Sequence, residues 1–330
     1  MKIAFYGNYN AIGDICVLLP ALFALCKLYP NAEITFLTTH KGEQFAKNSN
    51  FTTNITILNE QSLHTFLQST NLNFFILANP KTDIIKLLKK ANIDKVITFW
   101  HLHNLIARKF KILPTNRWKQ ADRERYLRLI RAIDEKHYDS NIHLCDFHEI
   151  ALHTKKENQN KIKNILCPLE IQKYSKIINI NAYCHSADSN YNLKEQDWWE
   201  LLLEFALIYP QFLFIWTTYG NKTSPAYQLK NIFVYHNGSD IFDLIELTKI
   251  FDCIISPSTG NISLADIMAK RIIAFYPYYD VIRYPCGNFN NPFTYYCVNK
   301  RWKSKYQYHI KHFKICIKKT LDNLILVANP

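Results

Sequence analysis

Short apolar runs alternate with longer segments of helical period from the first residues of the chain. Strands are predicted at 2–7, 33–38, 54–58, 73–77 and 94–99, with helices between them at 14–29, 41–48, 61–69 and 81–91. Alternation of this kind predicts a parallel sheet, because parallel neighbours must be joined by a crossover and the helices then cover both faces. A polar stretch follows, with helices expected at 121–133 and 148–163. The rhythm breaks near Cys167-Pro168-Leu169-Glu170 and restarts with a strand at 177–181. Helices at 195–209, 223–230, 240–250 and 262–269 then alternate with strands at 211–217, 232–235, 252–256 and 271–275. The pattern predicts an α/β chain of two Rossmann-like, doubly wound domains, residues 1–170 and 171–307. A last helix within 308–330 is expected to cross back to the first domain.

A length of 330 residues exceeds what one core usually serves, and 48% apolar residues are enough for two. The first strand begins at Lys2 with no basic region or cleavage site before it, so no leader is expected. The apolar stretch from Ile15 to Leu28 contains Pro20 and Lys27 and is shorter than the roughly 20 residues of a membrane span. It reads as a buried helix. Nine cysteines, an odd number without a Cys-x-x-Cys pair, point to a reducing, cytoplasmic compartment. His101 and His103 have a metal-compatible spacing but no neighbouring cysteine or carboxylate, and read as surface histidines.

The net charge of +13 is unevenly spread. Ten Lys or Arg stand against four acids between Arg108 and Lys136, and eight against none between Lys300 and Lys319. Clusters of one sign favour a polyanion or an anionic membrane surface, while each lysine alone reads as solvated surface. Nucleic acid is not expected as partner, since zinc-finger spacing, an RNP-type aromatic motif and a separate basic tail are all missing.

Seven glycines are about a third of the number average composition would supply, so each is expected where another residue fails. Two of them, Gly13 and Gly260, lie between an apolar run and a helix. Helix starts favour anions, because their N–H groups are free and the dipole is positive there. Asp14 at the first of these starts reads equally as a stabilising charge at the helix terminus or as a general base taking a proton from an acceptor hydroxyl. At the second, the run Ser256-Pro257-Ser258-Thr259-Gly260-Asn261-Ile262-Ser263 places hydroxyls, a glycine and an amide where a diphosphate could bind. It is not a Walker A loop, and Gly7 to Gly13 is not a dinucleotide fingerprint.

With their surroundings, the two loops resemble glycosyltransferase family 9, the ADP-heptose:lipopolysaccharide heptosyltransferases. Gly13-Asp14, Pro20-Ala21-Leu22 and Tyr29-Pro30-Asn31-Ala32-Glu33-Ile34 follow the family pattern of the first domain. Ser258-Thr259-Gly260-Asn261-Ile262-Ser263-Leu264-Ala265 corresponds to the family's Asp-Thr-Gly-Pro-x-His-Leu-Ala, and Arg283-Tyr284-Pro285-Cys286-Gly287 to its Arg-Trp-Gly-Pro-x-Gly. His148-Glu149 is similar to a His-Glu segment opening a helix in the family. The resemblance implies the GT-B architecture, two such domains facing a central cleft, with transfer that inverts the anomeric centre without a metal. No Asp-x-Asp motif is present.

Carried over, the resemblance makes Asp14 the catalytic base and Thr259 with Gly260 the pyrophosphate cradle. Ser186, Lys194, Ser239, Ser258, Asn261 and Ser263 fall on the donor side, and Gly13, Arg117, Arg123 and Arg125 on the acceptor side. Three segments depart from the family. Ser258 and Ser263 replace Asp and His, Tyr191-Asn192-Leu193-Lys194 replaces a Lys-x-Trp-Pro segment, and Tyr219-Gly220-Asn221 stands where a ribose-holding glutamate is expected. The implied activity is transfer of heptose from ADP-heptose to the core of lipopolysaccharide or lipooligosaccharide, with no cofactor beyond the nucleotide-sugar co-substrate. The expected place is the cytoplasmic face of the inner membrane. Alternatives are another nucleotide-sugar donor, such as a hexose, or a non-catalytic, transferase-like basic binding subunit.

Overall fold

The computed structural model describes residues 1–52, 55–104, 108–116, 119–183, 189–220, 229–238, 240–286 and 292–326. The chain divides into two compact units, Met1–His153 with Ile282–Tyr284, and Thr154–Val281 with Pro285–Pro330.

Unit 1 runs β1 (Lys2–Gly7), α1 (Ile12–Leu28), β2 (Glu33–Thr38), α2 (His40–Lys47), β3 (Thr56–Asn59), α3 (Leu63–Ser69), β4 (Leu72–Leu77), α4 (Thr82–Lys90), β5 (Ile93–Phe99), β6 (Phe110–Leu113), α5 (Asp122–Arg131) and α6 (Glu135–Asn141). Its six parallel strands lie in the order β3-β2-β1-β4-β5-β6. Five of the six residues of β1 are buried, as expected of a central strand covered on both faces. A Cβ on Gly7 would come within 2.4 Å of Leu18 Cδ2, so the missing side chain lets α1 lie close against the end of β1.

Unit 2 runs α7 (Lys156–Leu166), β7 (Lys176–Ile180), α8 (Glu195–Ile208), β8 (Phe212–Tyr219), β9 (Ile232–Asn237), α9 (Ile241–Ile250), β10 (Cys253–Pro257), α10 (Gly260–Ile267), β11 (Arg271–Pro277), α11 (Tyr278–Arg283), β12 (Phe293–Val298) and α12 (Tyr306–Leu326). The strand order is β12-β11-β10-β7-β8-β9, again all parallel and again doubly wound. One face of this sheet is packed around Trp198, Trp216, Phe275 and Phe313, and the other around Ile162, Leu213, Leu247 and Ile272.

Two expectations about the domains change. The helix predicted at 148–163 begins at Lys156 and packs in unit 2, where Ile162 and Leu166 share a core with Leu247 and Phe251. Asn158 Nδ2 donates to Asp240, which caps α9, and to Asp243 on α9, both at 2.8 Å, which fixes the helix there and moves the boundary from residue 170 to His153. The last helix does not cross back: Ile310, Phe313, Ile317, Leu321 and Leu324 of α12 belong to the core of the second sheet. Two strands, β6 and β12, were not predicted. Both are edge strands with a single fully buried residue each, so neither carries a continuous apolar run. The helix expected at 223–230 lies almost wholly outside the described residues.

Candidate functional site

Each sheet has one point where the strand order reverses, between β1 and β4 in unit 1 and between β7 and β10 in unit 2. Beyond the carboxyl ends of the strands at such a point, the crossover loops diverge to opposite faces and leave a crevice for ligands. The loop from β1 to α1 stands at the first, and the loop from β10 to α10 at the second.

In unit 1 Asp14 lies in the first turn of α1. The helix is preceded by Ala11, which offers no side-chain cap, so the carboxylate is the charge that meets the positive end of the helix. Above the strand ends, Thr38 Oγ1 donates to the Gly7 carbonyl (2.7 Å) and Thr39 Oγ1 to the Tyr9 carbonyl (2.6 Å), fixing the loop. Tyr126 of α5 donates its hydroxyl to Tyr9 Oη at 2.7 Å. The Tyr126 hydroxyl is pushed well above its ordinary pKa, first by burial, then by Tyr9 and Asp122, with Asp14 also contributing. It therefore remains a neutral donor to Tyr9.

Arg125, expected to meet an anionic acceptor, turns inward and is 2% exposed. Its guanidinium pairs with Asp122, donates from Nε to Thr115 Oγ1 (2.7 Å) and lies 4.6 Å over the Phe99 ring. An arginine at that point in an amphipathic helix can cross to the buried face when a carboxylate one turn earlier neutralises it. Asp122 also meets Arg283 Nη2 at 3.7 Å, within the short segment that groups with unit 1. Other basic residues of the 108–136 region are engaged locally: Lys109 with the Ala91 carbonyl, Lys111 with Glu135, and Arg131 with Asp139. Arg123 is part-buried on α5, and Arg117 lies outside the described residues. His148-Glu149 forms a single 3-10 turn rather than a helix start, and Glu149 pairs with Lys27 at 2.6 Å.

In unit 2 the helix α10 opens at Gly260, with Thr259 extended before it and no side-chain cap. Instead of capping, Thr259 Oγ1 stands 3.3 Å from Ser256 Oγ, which in turn accepts from Asn181 Nδ2 at 3.1 Å and so ties the ends of β10 and β7 together. Ser258 is 8% exposed and donates to Asp280 Oδ2 of α11 at 2.6 Å, so it braces the loop. Asn261 Nδ2 donates to Tyr219 Oη at 2.7 Å. Burial raises the pKa of Tyr219, and the Asn261 amide works against it. Thr259, Gly260, Asn261 and Ser263 therefore surround an uncapped helix start at the switch point. Neither Gly13 nor Gly260 has positive φ: Gly220, at +61°, is the only described glycine that does. The two site glycines lie in first helical turns, so close approach of a ligand, not backbone conformation, is what glycine would serve there.

Lys194 precedes α8 and is exposed; its N–H donates to Tyr306 Oη (2.8 Å) and its ammonium lies 5.8 Å over the Tyr306 ring. No hydrogen bond or ion pair among the described residues links it to the 256–263 loop. Ser186 and Ser239 lie outside the described residues. Tyr126 and Asp280 carried no sequence signal, being brought in from more than twenty residues away in the chain, and Tyr219 carried only that of standing in place of a glutamate. Among the described residues no group of three or more His, Cys, Asp or Glu is placed to hold a metal ion. No described helix is long and apolar enough to cross a membrane.

Neither a family profile nor a curated protein matches the sequence. Solved structures do match. A glycosyl transferase family 9 protein from Veillonella parvula superposes with a TM-score of 0.73 at 12% identity, over 98% of this chain and 97% of that one. The fold is that of a family 9 glycosyltransferase. The ADP-heptose lipopolysaccharide heptosyltransferase II of E. coli aligns over 100% of both chains with a TM-score of 0.68 and 12% identity. E. coli heptosyltransferase WaaC, solved with ADP-2-deoxy-2-fluoro heptose, gives 0.58 at 12% identity over 90% of this chain and 93% of that one. The two doubly wound sheets thus have the GT-B architecture.

Proposed function

We propose that this protein is an inverting, metal-independent glycosyltransferase that moves heptose from ADP-heptose to the core of a lipopolysaccharide or lipooligosaccharide. The observation that carries the reading is the uncapped start of α10, with Thr259, Gly260, Asn261 and Ser263 around it, at the reversal point of the unit 2 sheet. Backbone N–H groups and the helix dipole there suit the diphosphate of a nucleotide sugar and stabilise it further as it departs with added charge. Asp14, in the first turn of α1 at the reversal point of unit 1, supplies the complementary base. Its carboxylate takes the proton of the acceptor hydroxyl while the oxygen attacks the anomeric carbon. The bond from that carbon to the diphosphate breaks, the electron pair leaves on ADP, and one displacement inverts the centre. ADP-heptose is favoured over other donors because two of the similar structures are described by that donor or an analogue of it. We place the reaction at the cytoplasmic face of the inner membrane, where such an acceptor would be met.

The test is calorimetric titration with ADP, UDP, GDP and CMP, with and without magnesium. Selective binding of ADP, equal in both conditions, is the expected result. Preference for another nucleotide would move the donor, which the Asn261–Tyr219 pairing in place of a glutamate keeps in view. Binding of none would leave the non-catalytic subunit.

A further inference from the structure

We propose that the outward face of α12, with the turn that precedes it, is a docking surface for an anionic phospholipid bilayer. This inference does not depend on the donor or on turnover, since binding to lipid can be measured without either.

The inner face of α12 is fixed by Ile310, Phe313, Ile317, Leu321 and Leu324 in the core of unit 2. At 100° per residue, Tyr308, Ile315, Lys319 and Leu326 fall within about 20° of one line on the opposite side, with Lys311 about 60° away. Tyr308, Ile315 and Leu326 are 54%, 55% and 73% exposed. At the foot of the helix, Lys300, Arg301, Lys303 and Lys305 are exposed as well, and their turn is held by Trp302, which is buried and donates from Nε1 to the Asn190 carbonyl at 2.8 Å.

The charge on this face is uncompensated. Of the eight cations between Lys300 and Lys319, Lys314 pairs with Glu204 and Lys318 with Asp322. The other six form no ion pair among the described residues. The single acid of α12, Asp322, is engaged by both Lys318 and the Tyr209 hydroxyl. Acids on the neighbouring α8 are also occupied, Asp197 by Tyr306 and Glu204 by Lys314. By contrast, much of the basic 108–136 region is tied to its own carboxylates and carbonyls. Lys311 and Lys319 beside an exposed tyrosine and aliphatic side chains, with four more cations in the turn before the helix, suit a headgroup layer, where cations meet lipid phosphates and amphipathic rings sit at the interface.

The experiment is flotation of the full chain with vesicles of phosphatidylcholine alone and with vesicles containing about one third phosphatidylglycerol, at low and at physiological salt. Binding only to the anionic vesicles, weakening with salt, is expected. With about 1 kcal/mol per cation near the surface, K303E/K305E/K311E/K319E should weaken partitioning at least about 100-fold. The control K86E/K89E/K90E, at exposed lysines of α4, should change it less than about threefold. Tyr308→Ala with Ile315→Ala should cost about tenfold, by loss of the apolar contact. Thermal melts show that each variant is folded. The proposal is overturned by equal binding to both vesicles, by equal loss in the α4 control, or by unchanged binding of the Tyr308/Ile315 variant. Displacement by polynucleotide in preference to vesicles, or binding that requires lipopolysaccharide, overturns it too.

Discussion

Ser258→Asp restores the residue that the family pattern has at this position, and in this chain it should destabilise unit 2. Ser258 Oγ lies 2.6 Å from Asp280 Oδ2, and both side chains are more than nine-tenths buried. The substitution replaces a donor to a carboxylate with a second carboxylate. Two like charges about 4 Å apart at an effective dielectric constant near 20 repel by about 4 kcal/mol, and loss of the original hydrogen bond to a charged group adds about 1.5–3 kcal/mol. The variant relieves part of this by keeping one proton on the pair, so the folded pKa of one carboxyl lies above its unfolded value. The sign follows from that: the penalty is absent below the unfolded pKa, near 4, and grows as pH rises through the raised folded pKa. Thermal unfolding of wild type and variant should nearly coincide at about pH 4 and separate by roughly 8–16 °C at pH 7, at 2–4 °C per kcal/mol. The exchange S258D/D280S, which moves the carboxylate and keeps one hydroxyl, should recover most of the loss. Equal melting temperatures for S258D and wild type at pH 7 would refute the reasoning, as would an exchange variant no more stable than S258D.

Asp14→Asn should lower kcat by about 10²–10⁴ and leave stability within about 1 kcal/mol, because an amide keeps the shape but cannot take the proton; full transferase activity in a coupled assay for released nucleotide would remove the base assignment. Arg125→Ala should cost about 3–5 kcal/mol in urea unfolding, since it leaves the Asp122 carboxylate buried beside a vacated site, and should not change acceptor affinity in folded protein. A stable Arg125→Ala that bound the acceptor poorly would return that arginine to the acceptor site.

The repeated alternation of apolar runs and amphipathic segments determined the α/β class, the two parallel sheets and the loops that carry Gly13, Asp14, Thr259 and Gly260. These are local properties: a strand buried on both faces must be apolar throughout, and a loop that opens a helix is written in consecutive residues. The edge strands β6 and β12 escaped because a half-exposed edge needs no such run. Tertiary packing decided what one-dimensional pattern leaves open. A helix next to a boundary belongs to whichever sheet receives its apolar face, so α7 and α12 were assigned only by the partners of Ile162 and Phe313. A charged residue is solvent-facing in sequence until a distant or nearby counter-charge lets it turn inward, as Asp122 does for Arg125. Ser258 read as a donor-side residue in sequence, and only Asp280, 22 positions later, showed it bracing the loop. The cations from Lys300 to Lys319 were visible as composition, but only the fixing of the inner face of α12 set Lys311 and Lys319 on its outward side beside Tyr308 and Ile315.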